Sequence, residues 1–162
     1  MELKKVTKEE VPALAALASE IWHEYWNALL SKEQIKYMVE NFQSEKAMYK
    51  QINEDGYSYY FIIQNSNIAG YFGICPEDGY MFLSKLYLKK DFRGQGLGRQ
   101  AFEEIKKITK NSGLNKIQLT VNKYNTNTIK AYEHWGLDTI DAVVTDIGKG
   151  FVMDDYIMEY KF

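Results

Sequence analysis

The chain has 162 residues, of which 46% are hydrophobic and 26% charged, and its formal net charge is −2. That length and composition suit a single domain, residues 1–162, with its own core. The near-balanced charge excludes a general attraction to nucleic acid or to an anionic membrane surface. No apolar run approaches the length of a membrane span, and a single cysteine, Cys75, excludes an intrachain disulfide.

The first residues, MELKKVTKEE, lack the apolar segment of a secretory leader, so the expected location is the cytoplasm. LKKV reads as a short strand. TKEE has the Thr-x-x-Glu form of a capping box, with Thr7 as cap and Glu10 three residues on. The helix after it places Leu14, Leu17, Ile21 and Tyr25 on one stripe, with Pro12 close enough to its start to shift the boundary. Ser31 and Ser44 open two further helices. YSYYFIIQ (57–64) and IAGYFGI (68–74), joined by the polar NSN, read as a hairpin, and YMFLSKLYL (80–88) as a third strand. A helix follows from Gly96 to about Lys110. KIQLTVN (116–122) alternates as a half-buried strand, NTNTIKAYEHW (125–135) is a helix ended by Gly136, and strands over 137–147 and 151–160 close the chain. The order does not alternate strand and helix throughout. The expected fold class is therefore mixed α/β (α+β), a mainly antiparallel sheet of about seven strands flanked by helices. Parallel pairing is expected only between strands 80–88 and 116–122, where a helix crosses over.

The stretch KKDFRGQGLGRQAF (89–102) lies where a strand turns into a helix and holds Gly94, Gly96 and Gly98 beside Arg93 and Arg99. A helix start stripped of side chains is an anion site, because its free N–H groups converge and its dipole favours negative charge. Flanking arginines add contacts that suit phosphate. An ordinary glycine-rich turn is the plain alternative. The spacing excludes both the dinucleotide G-x-G-x-x-G pattern and the Walker pattern, since Arg99-Gln100 follows Gly98.

Arg93-Gly94-Gln95-Gly96-Leu97-Gly98 resembles the [Arg/Gln]-x-x-Gly-x-[Gly/Ala] signature of the GNAT superfamily, the acyl-CoA-dependent N-acetyltransferases. Downstream, Asn125, Tyr132 and Gly136-Leu137 are similar to the family's Asn, Tyr and terminal Gly-Phe segment, and the resemblance extends to the order of elements along the whole chain. It implies acetyl-CoA as cosubstrate, with the pyrophosphate cradled by residues 93–99. It also implies that the pantetheine arm pairs with the backbone of Leu86, Tyr87 and Leu88, and that Asn125 helps to hold it. Tyr132 is implied as the acid that returns a proton to the departing thiolate; as a helix residue it would otherwise only pack under the sheet. The backbone at Leu88 is implied to polarise the acetyl carbonyl. Many members carry a Glu on the strand feeding the loop, whereas this chain has Ser84 and Lys85 there. The proton is then expected to leave by water with a carboxylate from elsewhere, for which Glu24 is the first candidate and Asp154 and Asp155 are the others.

Trp22, His23, Tyr25 and Trp26, in the stretch IWHEYW, are candidates for the acceptor pocket together with Ser84 and Asp154; core packing is the alternative for the two tryptophans. No metal site is expected from two histidines and no clustered cysteine. The expected activity is acetyl transfer to a primary amine on a small molecule, such as a polyamine, by direct attack in a ternary complex. The rivals are a protein or peptide N-acetyltransferase and a CoA-binding sensor without turnover. A homodimer is compatible with the sequence but not read from it.

Overall fold

The computed structural model describes residues 1–162. One seven-stranded sheet runs through the molecule in the order β1-β2-β3-β4-β5-β7-β6. Its strands are β1 (Glu2–Lys5), β2 (Ser58–Gln64), β3 (Asn67–Pro76), β4 (Met81–Leu88), β5 (Lys116–Asn122), β6 (Asp138–Gly148) and β7 (Phe151–Lys161). The helices are α1 (Val11–Tyr25), α2 (Lys32–Phe42), α3 (Glu45–Asn53), α4 (Leu97–Asn111) and α5 (Thr126–His134). No helix is long and apolar enough to cross a membrane.

Local chemistry explains the boundaries. The Glu10 carboxylate accepts from the Thr7 backbone N–H, the Glu half of a capping box, and also from the Thr7 hydroxyl, while the Glu10 N–H bonds the Thr7 carbonyl. The turn it opens is a short 3₁₀ segment, Lys8–Glu10, and α1 proper starts at Val11 with Pro12 in its first turn. Proline is harmless there, because the N–H it lacks would have had no intrahelical partner. The hydroxyls of Ser31 and Ser44 each accept a backbone N–H from the first turn of α2 and α3. Asn65 and Ser66 both take positive φ and turn β2 into β3 in two residues.

The sheet separates two apolar layers. On one face α4 and α5 pack Leu97, Ala101, Phe102, Ile105 and Tyr132 against Phe72, Leu83, Leu119 and Met158. On the other, α1 and α3 pack Leu14, Ile21 and Met48 against Tyr59, Phe61 and Tyr71. Each fully buried side chain of this size stabilises the fold by about 1.5–3 kcal/mol relative to exposure. A third cluster, Trp22, Trp26, Ile35 and Met38, joins α1 to α2 beside Tyr87.

Two irregularities position the site. β4 pairs with β5 in parallel only at Met81↔Ile117 and Phe82↔Gln118. Beyond those pairs the strands separate, while β5 stays paired with β7 as far as Asn122↔Asp155. In addition, Gly73 faces Lys85 while Ile74 faces Leu83, so Ser84 is an extra residue in β4. Such a bulge reverses the side-chain alternation that follows it. Leu83, Leu86 and Leu88 consequently contact the α4 layer, whereas Tyr87 packs with the α1 aromatics.

Candidate active site

The gap between β4 and β5 opens into a cavity of about 1350 Å³ that passes through the sheet from the start of α4 to the inner face of α1 and α2. One end is built from backbone. Gly94 and Gly96 have φ of +76° and +79°, and Gly96 caps α4. A Cβ at either would meet nothing within 4 Å, so their side-chain-free backbone faces open space. Gly98 serves a different end: a Cβ there would lie 3.2 Å from the Trp135 ring, which stacks on Phe102. Arg93 is held by its Nε–H to the Leu88 carbonyl (3.0 Å) and lies over the Tyr25 ring at 5.0 Å. Its Nη1 pairs with Glu24 at 2.7 Å, and its Nη2 is buried without a partner. Arg99 also lines this end. Free helix-start amides, an unpartnered guanidinium donor and an unpaired strand edge together fit a ligand with a diphosphate and an extended amide-bearing arm, as in coenzyme A.

The other end is built from side chains. The Tyr25 hydroxyl accepts from Asn125 Nδ2 at 2.5 Å and shares a hydrogen bond with Thr128 Oγ1 at 2.7 Å, so α1 is tied to the start of α5. Tyr132 is 8% exposed and packs edge-on to Trp135. Burial, with Tyr25 second, pushes its hydroxyl well above the ordinary phenol range. Tyr87 is shifted the same way by burial and then by Tyr132 and Tyr25, against the smaller opposing effect of a hydrogen bond from Trp26 and with Asp155 adding to the rise. Asp155 is 6% exposed, and its Oδ1 has no hydrogen-bond partner. Burial, then the adjacent Asp154, raises its carboxyl to about 6 against the smaller opposing effect of Lys123.

Most residues singled out from the sequence line this cavity, including Trp22, Tyr25, Trp26, Ser84, Asn125 and Tyr132. Gln95, His23, Glu24 and Asp154 do not. The Gln95 amide donates to the Asp91 carbonyl at 3.0 Å on the surface. His23 Nδ1 bonds the Ser19 carbonyl, one helical turn back, at 2.8 Å. Glu24 is engaged by Arg93 outside the cavity, and Asp154 is paired with Lys123 at 2.8 Å. The expectation that these two carboxylates face the acceptor is therefore corrected: each is neutralised by a cation, and strand alternation turns Asp155 inward in place of Asp154. Asn125 likewise spends its amide on Tyr25. Trp22 and Trp26 do both things considered for them, since they are core residues that also wall the cavity.

Sequence reasoning noted Lys85 only as a departure and assigned it no role. It is buried at 7% exposure and lines the cavity. Its Nζ donates to Gln51 Oε1 (3.0 Å), the Phe42 carbonyl (3.3 Å) and the Tyr59 hydroxyl. Burial alone lowers its pKa to about 7. The available signal was a lysine between apolar strand residues, but simple alternation from Met81 and Leu83 assigns it to the α4 layer and misses the bulge.

Residues 15–137, more than half of the chain, match the model of the Acetyltransferase (GNAT) family. The spermidine N(1)-acetyltransferase of Thermoplasma acidophilum is 24% identical over 100% of this chain and 98% of its own. The crystal structure of the PaiA N-acetyltransferase of the same organism, in complex with coenzyme A, superposes with a TM-score of 0.83 at 22% identity over 99% of this chain and 98% of that one. A GNAT acetyltransferase of Elizabethkingia anophelis with acetyl-CoA bound gives 0.65 at 15% identity over 99% and 97%. With the backbone-built anion site and the split between β4 and β5 already in view, the family match leads to one conclusion: the chain belongs to the GNAT acetyltransferase family and is an acetyl-CoA-dependent N-acetyltransferase.

Proposed function

We propose that the acceptor is a primary amine on a small molecule and that transfer is direct, within a ternary complex. The observation that supports this reading is a tie between α2 and the β6–β7 hairpin beside the acceptor end. The Tyr37 hydroxyl donates to the Ile147 carbonyl at 2.6 Å, and the Gln34 amide to the Val152 carbonyl at 3.0 Å. These bonds hold α2 against the β6–β7 hairpin at Ile147, which lines the cavity, where a peptide acceptor would need an open groove.

Acetyl-CoA, when bound, supplies an acetyl thioester. The amides at the start of α4, with Arg93 and Arg99, hold its diphosphate, and the free edge of β4 at Leu86 and Leu88 holds its arm. The Leu88 N–H is the donor for the acetyl carbonyl. Asp155 is the base in this reading. A carboxyl raised to about 6 is mostly ionised at neutral pH yet basic enough to relieve an ammonium of its proton, which the amine must shed before its lone pair is free. Tyr132 holds a proton at its hydroxyl for the departing sulfur, and its upward shift keeps that proton in place at neutral pH. A polyamine acceptor is the second reading, supported by the name of the Thermoplasma relative and by the unpaired Asp155 carboxylate. The test is thiol release from acetyl-CoA across small primary amines and lysine-containing peptides. Turnover with small amines is expected; turnover with peptides alone overturns the reading.

A further inference from the structure

Lys85 has its hydrogen bonds satisfied and its charge uncompensated. All the partners of its Nζ are neutral oxygens, from Phe42, Gln51 and Tyr59. The Tyr59 and Tyr57 rings lie 4.9 and 5.5 Å away. No carboxylate shifts it, burial being the sole cause of its lowered pKa. An unpaired buried cation is costly, and one at a cavity wall is relieved by an incoming anion.

A second observation points to the same place. Gln43, one residue beyond the carbonyl that Lys85 contacts, is 1% exposed and lines the cavity. Its amide orientation is fixed by a relay. Trp22 Nε1, which can only donate, bonds the Tyr71 hydroxyl at 3.0 Å, and that hydroxyl then donates to Gln43 Oε1 at 3.1 Å. The amide's other end, Nε2, is left as a buried donor without a partner. Trp26 Nε1, on the same cavity wall, is directed at the Tyr87 hydroxyl instead, so Gln43 supplies the unmet donor. An unmet amide donor beside a lysine whose hydrogen-bond partners are all neutral oxygens describes a pocket for an anionic oxygen group.

We infer that the acceptor end of the cavity recognises a carboxylate on the acceptor, held by Gln43 Nε2 beside Lys85, so that the acceptor is an amino-carboxylate and not a pure polycation. The placement suits a short molecule. Lys85 precedes Tyr87 by two residues on the same face of β4, a rise of roughly 6.6 Å, and Tyr87 borders Asp155 and Tyr132, where the amine reacts. The carboxylate and the amine thus sit a few bonds apart. This rests on the small-amine reading above.

The test compares matched pairs, an amino acid and the amine left by its decarboxylation: tyrosine with tyramine, and lysine with cadaverine. A carboxylate meeting charged and neutral donors in a dry site gains about 10–100-fold, so kcat/KM is expected to favour the amino acid by that factor. Lys85→Met brings the ratio towards one. Gln43→Glu, which puts a carboxylate where the ligand's belongs, inverts it. Ratios within one protein preparation cancel any loss of folded enzyme. Binding is read separately, by the quenching of Trp22 and Trp26 fluorescence with the N-acetylated product of each pair. No carboxylate preference in binding, or a preference untouched by both variants, overturns the inference. Absence of acetyl transfer to every amine would instead overturn the small-amine reading, while the binding ratio still decides this one.

Discussion

The two ends of the cavity are made in opposite ways. The end that faces α4 is backbone: left-handed glycines, free helix-start amides and an unpaired strand edge. The end under α1 and α2 is side chain: Asp155, Lys85, Gln43 and tyrosine hydroxyls, buried and partly unpartnered. Backbone recognition suits an invariant diphosphate and amide arm, because every chain has the same amides to offer. Side-chain recognition suits an acceptor that differs between members of a family, because single substitutions rewrite it. The difference teaches where specificity resides, and mutations at the two ends should fail in different ways.

The largest effect is expected at the reacting centre. Asp155→Asn should lower kcat/KM by about 10²–10⁴-fold. Wild-type kcat/KM should rise with pH through about 6 as the Asp155 carboxyl ionises and level off above, and the Asn variant should lose that rise. Steady-state profiles from pH 5 to 8 check both. Tyr132→Phe comes next, with kcat down by about 10²-fold and acetyl-CoA binding little changed, measured by comparing turnover with calorimetry. The third concerns stability. A lysine whose folded pKa is lowered to about 7 from 10.5 binds fewer protons folded than unfolded between those values. Stability from this group is therefore fully present above 10.5 and is lost as pH falls to 7. The stability of wild type relative to Lys85→Met should rise by on the order of a few kcal/mol from pH 7 to 10, read by urea unfolding at each pH. At the backbone end, Gly96→Val should weaken CoA by about tenfold, since a branched residue at φ +79° costs about 1–3 kcal/mol in strain. The smallest effect is expected for Glu24→Gln, within about threefold in kcat/KM, because a half-exposed pair outside the cavity contributes little. A large loss there would restore Glu24 as the base.

The backbone end was legible in the sequence for the same reason that it is general. Caps, turns and glycine spacing are local, so Ser31, Ser44, the 93–98 loop and the succession of about seven strands could be read from neighbours along the chain. The side-chain end was not, because it depends on parity and on distant partners. Asp154 and Asp155 are adjacent letters, and only the register with β5 decides which faces the cavity. Lys85 changes face through one inserted residue, Ser84. Glu24 is paired with Arg93, far along the chain, and does not line the cavity. Tyr132 was reached through the family resemblance of the segment from Asn125 to Gly136, and its proximity to Tyr25 and Tyr87 emerged only with the fold.

The division of labour itself is tested by titrating coenzyme A calorimetrically into wild type, Gly96→Val, Asp155→Asn and Lys85→Met. The account predicts a weakened Kd for Gly96→Val alone, with the two acceptor-end variants matching wild type. Unchanged affinity in Gly96→Val, or an equal loss in Asp155→Asn and Lys85→Met, would contradict it.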